Sequence, residues 1–170
     1  MTARLLSRLN RGLAATAMLI GAAACTHTTS TQPLDVLHGM AQCDPAVESA
    51  TAQWLDDPQS LQSAYQRINR HRMGAPDTPT VDFETSGIVL IEMGQQTTGG
   101  YGLELLKPEM VIDGTVATIE VNWQTPAPGA IVTQALTSPC LMLVVPRGDY
   151  RTLLIVDQDG LTRFEIMLQP

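Results

Sequence analysis

The feature that most constrains the fold is a series of short apolar segments separated by turn signals in the second half of the chain. Residues 115–123 alternate apolar and polar side chains, which predicts a strand with one buried face. This segment follows Asp113-Gly114, a dipeptide typical of tight hairpin turns. The apolar runs Ile88–Ile91 and Leu141–Val145 predict strands that are buried on both faces.

Six or seven such strands predict a mainly β fold, a single antiparallel β-sandwich or barrel-like domain. One or two N-terminal helices are expected beside it, so the class is α+β overall. The pairs Asp44-Pro45 and Asp57-Pro58 indicate helix starts, since aspartate caps exposed amides and proline fits the first turn. The predicted helices run from Pro45 to Leu55 and from Pro58 to about Arg72.

The first 24 residues are expected to form a lipoprotein signal peptide. Their basic residues are Arg4, Arg8 and Arg11. The apolar run at 12–20 is too short to cross a bilayer core of roughly 30 Å as a helix. Small residues at 21–24 precede Cys25 and resemble a bacterial lipobox. We therefore expect cleavage before Cys25 and acylation of its thiol, including palmitate; an ordinary secretory signal with an incidental Cys25 is the alternative.

The same leader predicts the cell envelope as the location. Thr26 follows Cys25, and the lack of aspartate there, by resemblance to lipoprotein sorting in Gram-negative cells, indicates the periplasmic face of the outer membrane rather than the inner membrane. Loss of the three leader arginines from the ten basic residues leaves seven against seventeen acidic ones, a net charge of about −10. A surface this acidic argues against a nucleic-acid partner.

The rest of the chain divides into three predicted segments. Residues 25–42 are rich in threonine and small residues and are expected to be a flexible spacer. Residues 43–79 form the helical segment, and residues 80–170 form the β domain. A lone pair of cysteines in an oxidising compartment is usually bridged, which predicts a disulfide between Cys43 and Cys140; two separate buried thiols are the alternative.

No residue set specifies a reaction, so we expect a non-catalytic protein with no cofactor and no metal. His27 and His38 lie in the predicted spacer, and His71 lies at a helix end among arginines, where it is a poor base. No cluster has zinc-ligand spacing. The segment Asp157–Gly160 is better explained as a hairpin turn than as a calcium loop. The basic residues at 67–72 are either a partner-binding patch or a solvated helix end.

The loop between the first two β segments is the candidate binding site. Its central residues are Thr98, Gly99, Gly100 and Tyr101. Adjacent glycines permit a sharp turn, and the loop leads into a strand rather than a helix, which does not suit phosphate binding. The tyrosine either packs its ring in the core or offers it to a partner.

Five motifs in order resemble the PrcB C-terminal domain family. They are Val81-Asp82-Phe83, Ile88–Gly94, Thr98–Tyr101, Pro126–Gly129 and Thr137–Cys140, the last followed by an apolar strand that ends Val145-Pro146. The family is named for a lipoprotein that helps to assemble or stabilise a surface protease complex. The resemblance implies a protein-binding role outside the cytoplasm, with an envelope protein, in some cases a protease, as partner.

A second likeness gives an alternative function. Thr97–Tyr101 is similar to the threonine-glycine-tyrosine loop of chagasin-type cysteine-protease inhibitors, although it carries an extra glycine. Those inhibitors are immunoglobulin-like sandwiches that insert clustered loops into a protease cleft. The likeness implies direct inhibition through the end of the domain that carries Gly99-Gly100-Tyr101.

Overall fold

The computed structural model describes residues 28–74 and 76–169 and contains ten strands and one helix there. The predicted signal peptide and Cys25 lie outside these residues. The strands are β1 Thr29–Pro33, β2 Asp35–Met40, β3 Thr51–Leu55, β4 Ser86–Glu92, β5 Gly102–Leu105, β6 Glu109–Asp113, β7 Val116–Gln124, β8 Cys140–Pro146, β9 Thr152–Val156 and β10 Thr162–Met167, and the helix α1 is Pro58–Ile68.

The strands form two sheets that face each other, which confirms the mainly β, sandwich-like fold. The larger sheet has the order β1-β6-β7-β9-β10, with β5 also paired to β7. The smaller sheet has the order β2-β8-β4-β3. β5 and β6 pair with successive halves of β7, β6 with its start and β5 with its end.

One strand pair departs from the predicted antiparallel arrangement. β7 and β9 are parallel, with Val116 opposite Thr152 and Glu120 opposite Val156. β8, which lies between them in the chain, belongs to the smaller sheet. The chain therefore leaves the larger sheet after β7, passes through the smaller sheet as β8 and re-enters the larger sheet as β9, parallel to β7. The local alternation of β7 and β9 carries no information about this crossing.

The core explains the two sequence patterns that predicted the strands. In β7 the alternate apolar side chains are all buried between the sheets, as predicted. In β4, Val89 and Ile91 face the core between the sheets, whereas Ile88 and Leu90 face a second core under α1. A strand between two apolar layers needs apolar residues on both faces, which accounts for its continuous run.

Helix α1 covers the outer face of the smaller sheet. Asp57 caps its start, and the carboxylate accepts hydrogen bonds from the amides of Gln59 and Ser60 at 2.8 and 2.9 Å. The buried stripe is Leu61, Ala64, Tyr65 and Ile68. The helix ends before the predicted limit at Arg72. Across 28–74 and 76–169, no helix is long and apolar enough to span a membrane.

The predicted helix from Pro45 to Leu55 is wrong, because Thr51–Leu55 forms strand β3. Asp44 closes a turn instead of capping a helix, and its carboxylate accepts the amide of Ala46 at 3.0 Å. β3 then pairs antiparallel with β4, from Thr51 opposite Glu92 to Leu55 opposite Ile88. Pairing with a buried strand overrides a weak local preference for helix.

The predicted flexible spacer is also wrong from Thr29 onward. β1 pairs with β6 over five residue pairs, and β2 pairs with β8. Leu34, between the two strands, is buried in the core between the sheets. Since β1 and β2 are edge strands with one paired side each, they need little apolar patterning, and their composition resembles that of a linker.

Candidate functional site

Two loops lie side by side at one end of the sandwich. Residues 93–101 connect β4 to β5, and residues 125–139 connect β7 to β8. Their main chains are hydrogen-bonded: Gln96 and Thr137 exchange two bonds of 2.7 and 3.0 Å, and the Gly99 amide donates to the Thr133 carbonyl at 2.9 Å. We call these segments the paired loops, and they contain the predicted partner-binding residues.

The two central glycines permit this close pairing. A Cβ atom on Gly99 would lie 2.3 Å from the hydroxyl oxygen of Thr133. Gly100 has a φ of +87°, and its Cβ would lie 3.0 Å from Val132 and 3.1 Å from Pro126. A side chain at either position would push the loops apart, and at Gly100 it would also meet an unfavourable backbone angle. The glycines therefore have a structural role that is independent of any partner.

Thr98 and Tyr101 differ in what they contact. The carbonyl of Thr98 accepts a hydrogen bond of 2.8 Å from the hydroxyl of Thr137, so Thr98 also joins the loops. Tyr101 is half-buried, packs against the core between the sheets and lines an open cleft of about 580 Å³ between β2 and β5. Tyr101 thus packs against the core on one side and forms part of a cleft wall on the other; binding of a partner through its ring stays a prediction.

Exposed apolar residues mark the outer surface of the second loop. Ile131 is fully exposed, and Leu136 is 55 % exposed. Single exposed apolar residues are common, but these two lie in one loop that is held in place by main-chain hydrogen bonds. The arrangement places exposed apolar side chains on a fixed support.

The paired loops lie far from the point where β1 begins. Thr29 is opposite Asp113 at the end of β6, and Asp113 is opposite Val116 at the start of β7. Gly102, which follows the first of the paired loops, is opposite Gln124 at the end of β7. A strand rises about 3.3 Å per residue, so nine residues separate the two ends by about 25–30 Å.

The predicted disulfide is present. Cys43 and Cys140 are bonded, with their Cα atoms 6.0 Å apart, and both are buried in the core under α1. The bond joins the segment before β3 to the start of β8, at the base of the second of the paired loops. It therefore fixes one end of that loop covalently.

Two of the three arginines at 67–72 pair with acidic side chains. Arg67 donates to both carboxylate oxygens of Glu92 at 3.0 and 2.8 Å and to Asp44 at 3.3 Å, and Arg70 lies 3.5 Å from Asp44. Burial alone would raise the pKa of Asp44. The amide hydrogen bond from Ala46 and the two arginines outweigh this effect and hold the pKa below its usual value.

A cleft of about 720 Å³ lies at the other end, near Trp54 and Tyr150. Arg147 lines it, but its guanidinium already donates to the carbonyls of Phe83, Ser86 and Asp56 at 3.0–3.3 Å. The Arg147-Gly148-Asp149 sequence therefore connects β8 to β9 as a turn anchored by its arginine. The Arg147 guanidinium is thus held by main-chain carbonyls, and Arg151 is the second arginine that lines this cleft.

The acidic segment Asp157–Gly160 makes structural contacts. The Asp157 carboxylate accepts from the amides of Asp159 and Leu161 at 2.9 Å each and pairs with Arg163 at 2.7 Å, so the segment is a hairpin turn, as predicted. In the part of the chain that the structure describes, no group of three or more histidine, cysteine, aspartate or glutamate residues could hold a metal ion.

Sequence reasoning missed the environment of His38. It lies in β2 rather than in a linker, its ring meets Tyr65 edge-on at 5.3 Å between centroids, and its Nε2 atom is buried without a hydrogen-bond partner. Burial, followed by the nearby charge of Arg72, lowers its pKa. Only recognition of β2 as a strand would have revealed this position.

Comparison with known proteins supports the predicted family resemblance. Residues 88–146, from β4 to β8, match the family described as PrcB C-terminal. This range includes both of the paired loops and the whole of β7. No curated protein and no solved structure matches the chain significantly.

Proposed function

We propose, from the match of residues 88–146 to the PrcB C-terminal family, that this chain is an envelope lipoprotein that binds a protein partner without catalysing a reaction. The observation that carries the proposal is the position of the paired loops at the end of β7 remote from β1. In this view Cys25 anchors the chain in the outer membrane, and the paired loops present Tyr101 and Ile131 to an envelope protein.

The short distance from Cys25 to β1 sets which end of the domain lies near the bilayer. Four residue steps separate Cys25 from Thr29, and an extended chain covers at most about 3.6 Å per residue, so the start of β1 lies within about 14 Å of the Cα atom of the anchored Cys25. The paired loops then face away from the bilayer. A lipid anchor also confines the domain to a surface, which raises its effective concentration near a membrane-bound partner.

The anchor is tested by metabolic labelling. Cells that express the full chain are given an alkyne analogue of palmitate, and the expected result is labelled protein in the outer-membrane fraction. Cys25→Ser should remove the label and release the protein from that fraction. Labelling that persists in Cys25→Ser would refute the anchor and leave the binding role to be tested separately.

The binding role is tested by photo-crosslinking in intact cells. A photoreactive amino acid replaces Ile131 on the paired loops or, as the matched control, exposed Thr115 at the opposite end. We expect one envelope protein to be crosslinked from position 131 and not from position 115. Equal products from both positions, or no product from either, would contradict binding through the paired loops.

Direct protease inhibition is the second candidate, because the paired loops form a cluster at one end of a sandwich. Titration of a papain-like protease with the full chain in detergent distinguishes it from assembly. Loss of protease activity at a one-to-one ratio would favour inhibition. Full activity at a tenfold excess of the chain excludes inhibition of that protease.

A further inference from the structure

Strand β5 has a free edge. In an antiparallel pair, every second residue exchanges two main-chain hydrogen bonds with the residue opposite. The amide and carbonyl groups of the residues between them point away from the paired strand. The Leu106 amide donates to the Glu120 carbonyl at 2.9 Å, so Glu104, two residues earlier, also points its main-chain groups toward β7. The main-chain groups of Leu103 and Leu105 therefore point away from β7, and none of the described residues provides a main-chain partner for them.

The free edge faces a cleft because β1 and β2 belong to different sheets. β1 pairs with β6, but the chain then leaves the larger sheet, and β2 pairs with β8 in the smaller one. The position next to β5, which a longer β1 would fill, holds no strand of the larger sheet; β2 passes close to it in the smaller sheet and forms the opposite wall of a cleft. The cleft of about 580 Å³ there has apolar walls that include Val36, Met40, Tyr101 and Leu105.

Three of the other edge strands, β1, β2 and β10, carry features that oppose pairing with a further strand, whereas β5 does not. β2 has a register shift between Val36 and His38, and β10 has one between Thr162 and Phe164. β1 ends in Pro33, which has no amide hydrogen to donate. Bulges and prolines at edges are how proteins prevent unwanted strand addition. β5 has neither a bulge nor a proline, and the same is true of β3, the remaining edge strand, whose pairing with β4 shows no register shift.

We propose that β5 accepts an extended strand from the partner polypeptide. This strand would pair with β5 in the larger sheet, in line with β1. Its main chain would bond to Leu103 and Leu105, and its apolar side chains would enter the cleft against Tyr101. Glu104 is exposed and is the one charged residue among those that line the cleft, so a lysine or arginine of the partner would lie beside it. The inference rests on the proposed function and specifies how the partner is held.

A displayed library of random twelve-residue peptides supplies the probe. The full, lipidated chain in detergent is the target, and the most enriched peptide is synthesised. We expect alternating apolar residues with a lysine or arginine between them. At saturation, amide hydrogen exchange of Leu103 and Leu105 should slow by about 10-fold or more. Protection of the β3 or β10 edge instead, or no enriched peptide, would overturn the inference.

Two substitutions at one position separate strand addition from binding in an apolar groove. Leu105→Pro removes an amide that points away from β7 and leaves the β5–β7 bonds intact, whereas Leu105→Ala keeps the amide and removes the side chain. We expect Leu105→Pro to weaken peptide binding by about 10-fold more than Leu105→Ala. The proline removes the main-chain hydrogen bond and also leaves the peptide's carbonyl buried without a donor. Equal losses would show that the side chain, not the main chain, binds the peptide.

A third variant keeps the test valid if Leu105→Pro does not fold. Glu104→Gln should lower affinity by about 2- to 5-fold, the range of an exposed ion pair, and the loss should disappear for a peptide whose basic residue is replaced by glutamine. The crosslink from position 131 tests the proposed function independently. If that crosslink persists in Leu105→Pro cells, the partner is bound by the paired loops, and strand addition is wrong.

Discussion

The guanidinium of Arg67 forms a two-point ion pair with the carboxylate of Glu92, at 3.0 and 2.8 Å, and so joins α1 to β4. Glu92 is the last residue of β4 and lies opposite Cys140 in the register with β8. The ion pair therefore lies beside the disulfide and near the first of the paired loops. Helix, disulfide and loop end are held together at this one place.

Removal of Arg67 should destabilise the protein strongly. In Arg67→Met, both Glu92 and Asp44 stay buried without their main cation, and the loss should be about 2–4 kcal/mol, since Arg67 itself is partly exposed. Urea unfolding monitored by tryptophan fluorescence measures it. The control is Lys107→Met, which breaks the exposed pair with Glu120 and should cost under about 1 kcal/mol. Equal losses in the two variants would contradict a special role for the Arg67 pair.

Reduction of the disulfide should also lower stability. Cys43 and Cys140 are separated by 97 residues, and a crosslink over a loop of this size restricts the unfolded chain by about 3–5 kcal/mol in the chain-entropy description. Thermal unfolding of the full chain with and without dithiothreitol measures the effect, and the double variant Cys43→Ser with Cys140→Ser should match the reduced protein. An unchanged midpoint after complete reduction would disprove this contribution.

His38 should make stability depend on pH on the acidic side of about 6.5, the unfolded pKa of histidine. Burial and the charge of Arg72 lower its pKa in the folded protein, so the unfolded chain binds the proton more readily. Stability is then complete above the unfolded pKa of about 6.5 and falls as the pH drops below it. His38→Gln should flatten this part of the profile. The carboxylates with lowered pKa values, including Asp44 and Asp157, act at more acidic pH and are common to both proteins.

The strands at the centre of the sandwich were predictable because local patterns reflect their surroundings. β7 alternates since it has one buried face, and β4 is wholly apolar since it lies between two cores. The hairpin turns at Asp113-Gly114 and at Asp157–Gly160 follow from residues that favour tight turns. In each of these elements, neighbouring residues in sequence contain the physical reason for the structure.

The edge strands and the details of the site were not predictable in this way. β1, β2 and β3 exist because distant strands pair with them, and their sequences do not exclude a linker or a helix. The loop at Gly99-Gly100 was identified from its glycines, but the reason for them lies more than 25 residues away, in Val132 and Thr133. The edge of β5 is open because β2 pairs with β8 in the other sheet, and no local sequence pattern predicts that pairing.

The two glycines of the paired loops should respond differently to the same substitution. In Gly99→Ala the new methyl group meets a hydroxyl oxygen at 2.3 Å, so the second change Thr133→Ala should restore most of the lost stability. In Gly100→Ala the backbone angle of +87° is itself unfavourable, by about 1–2 kcal/mol, and no change of a neighbour relieves it. Urea unfolding of the two single and two double variants, each with Thr133→Ala, measures the difference.

Gly129→Ala provides the matched control for the backbone angle. Gly129 also has a positive φ, +78°, but a Cβ atom there would have no neighbour within 4 Å. The stability lost in Gly129→Ala should therefore equal the free-energy cost of the positive φ alone. The stability lost in Gly100→Ala should be larger, because Val132 and Pro126 crowd the new methyl group. If the two variants are equally stable, the contacts across the paired loops yield without cost, and the loops are less tightly joined than their hydrogen bonds indicate.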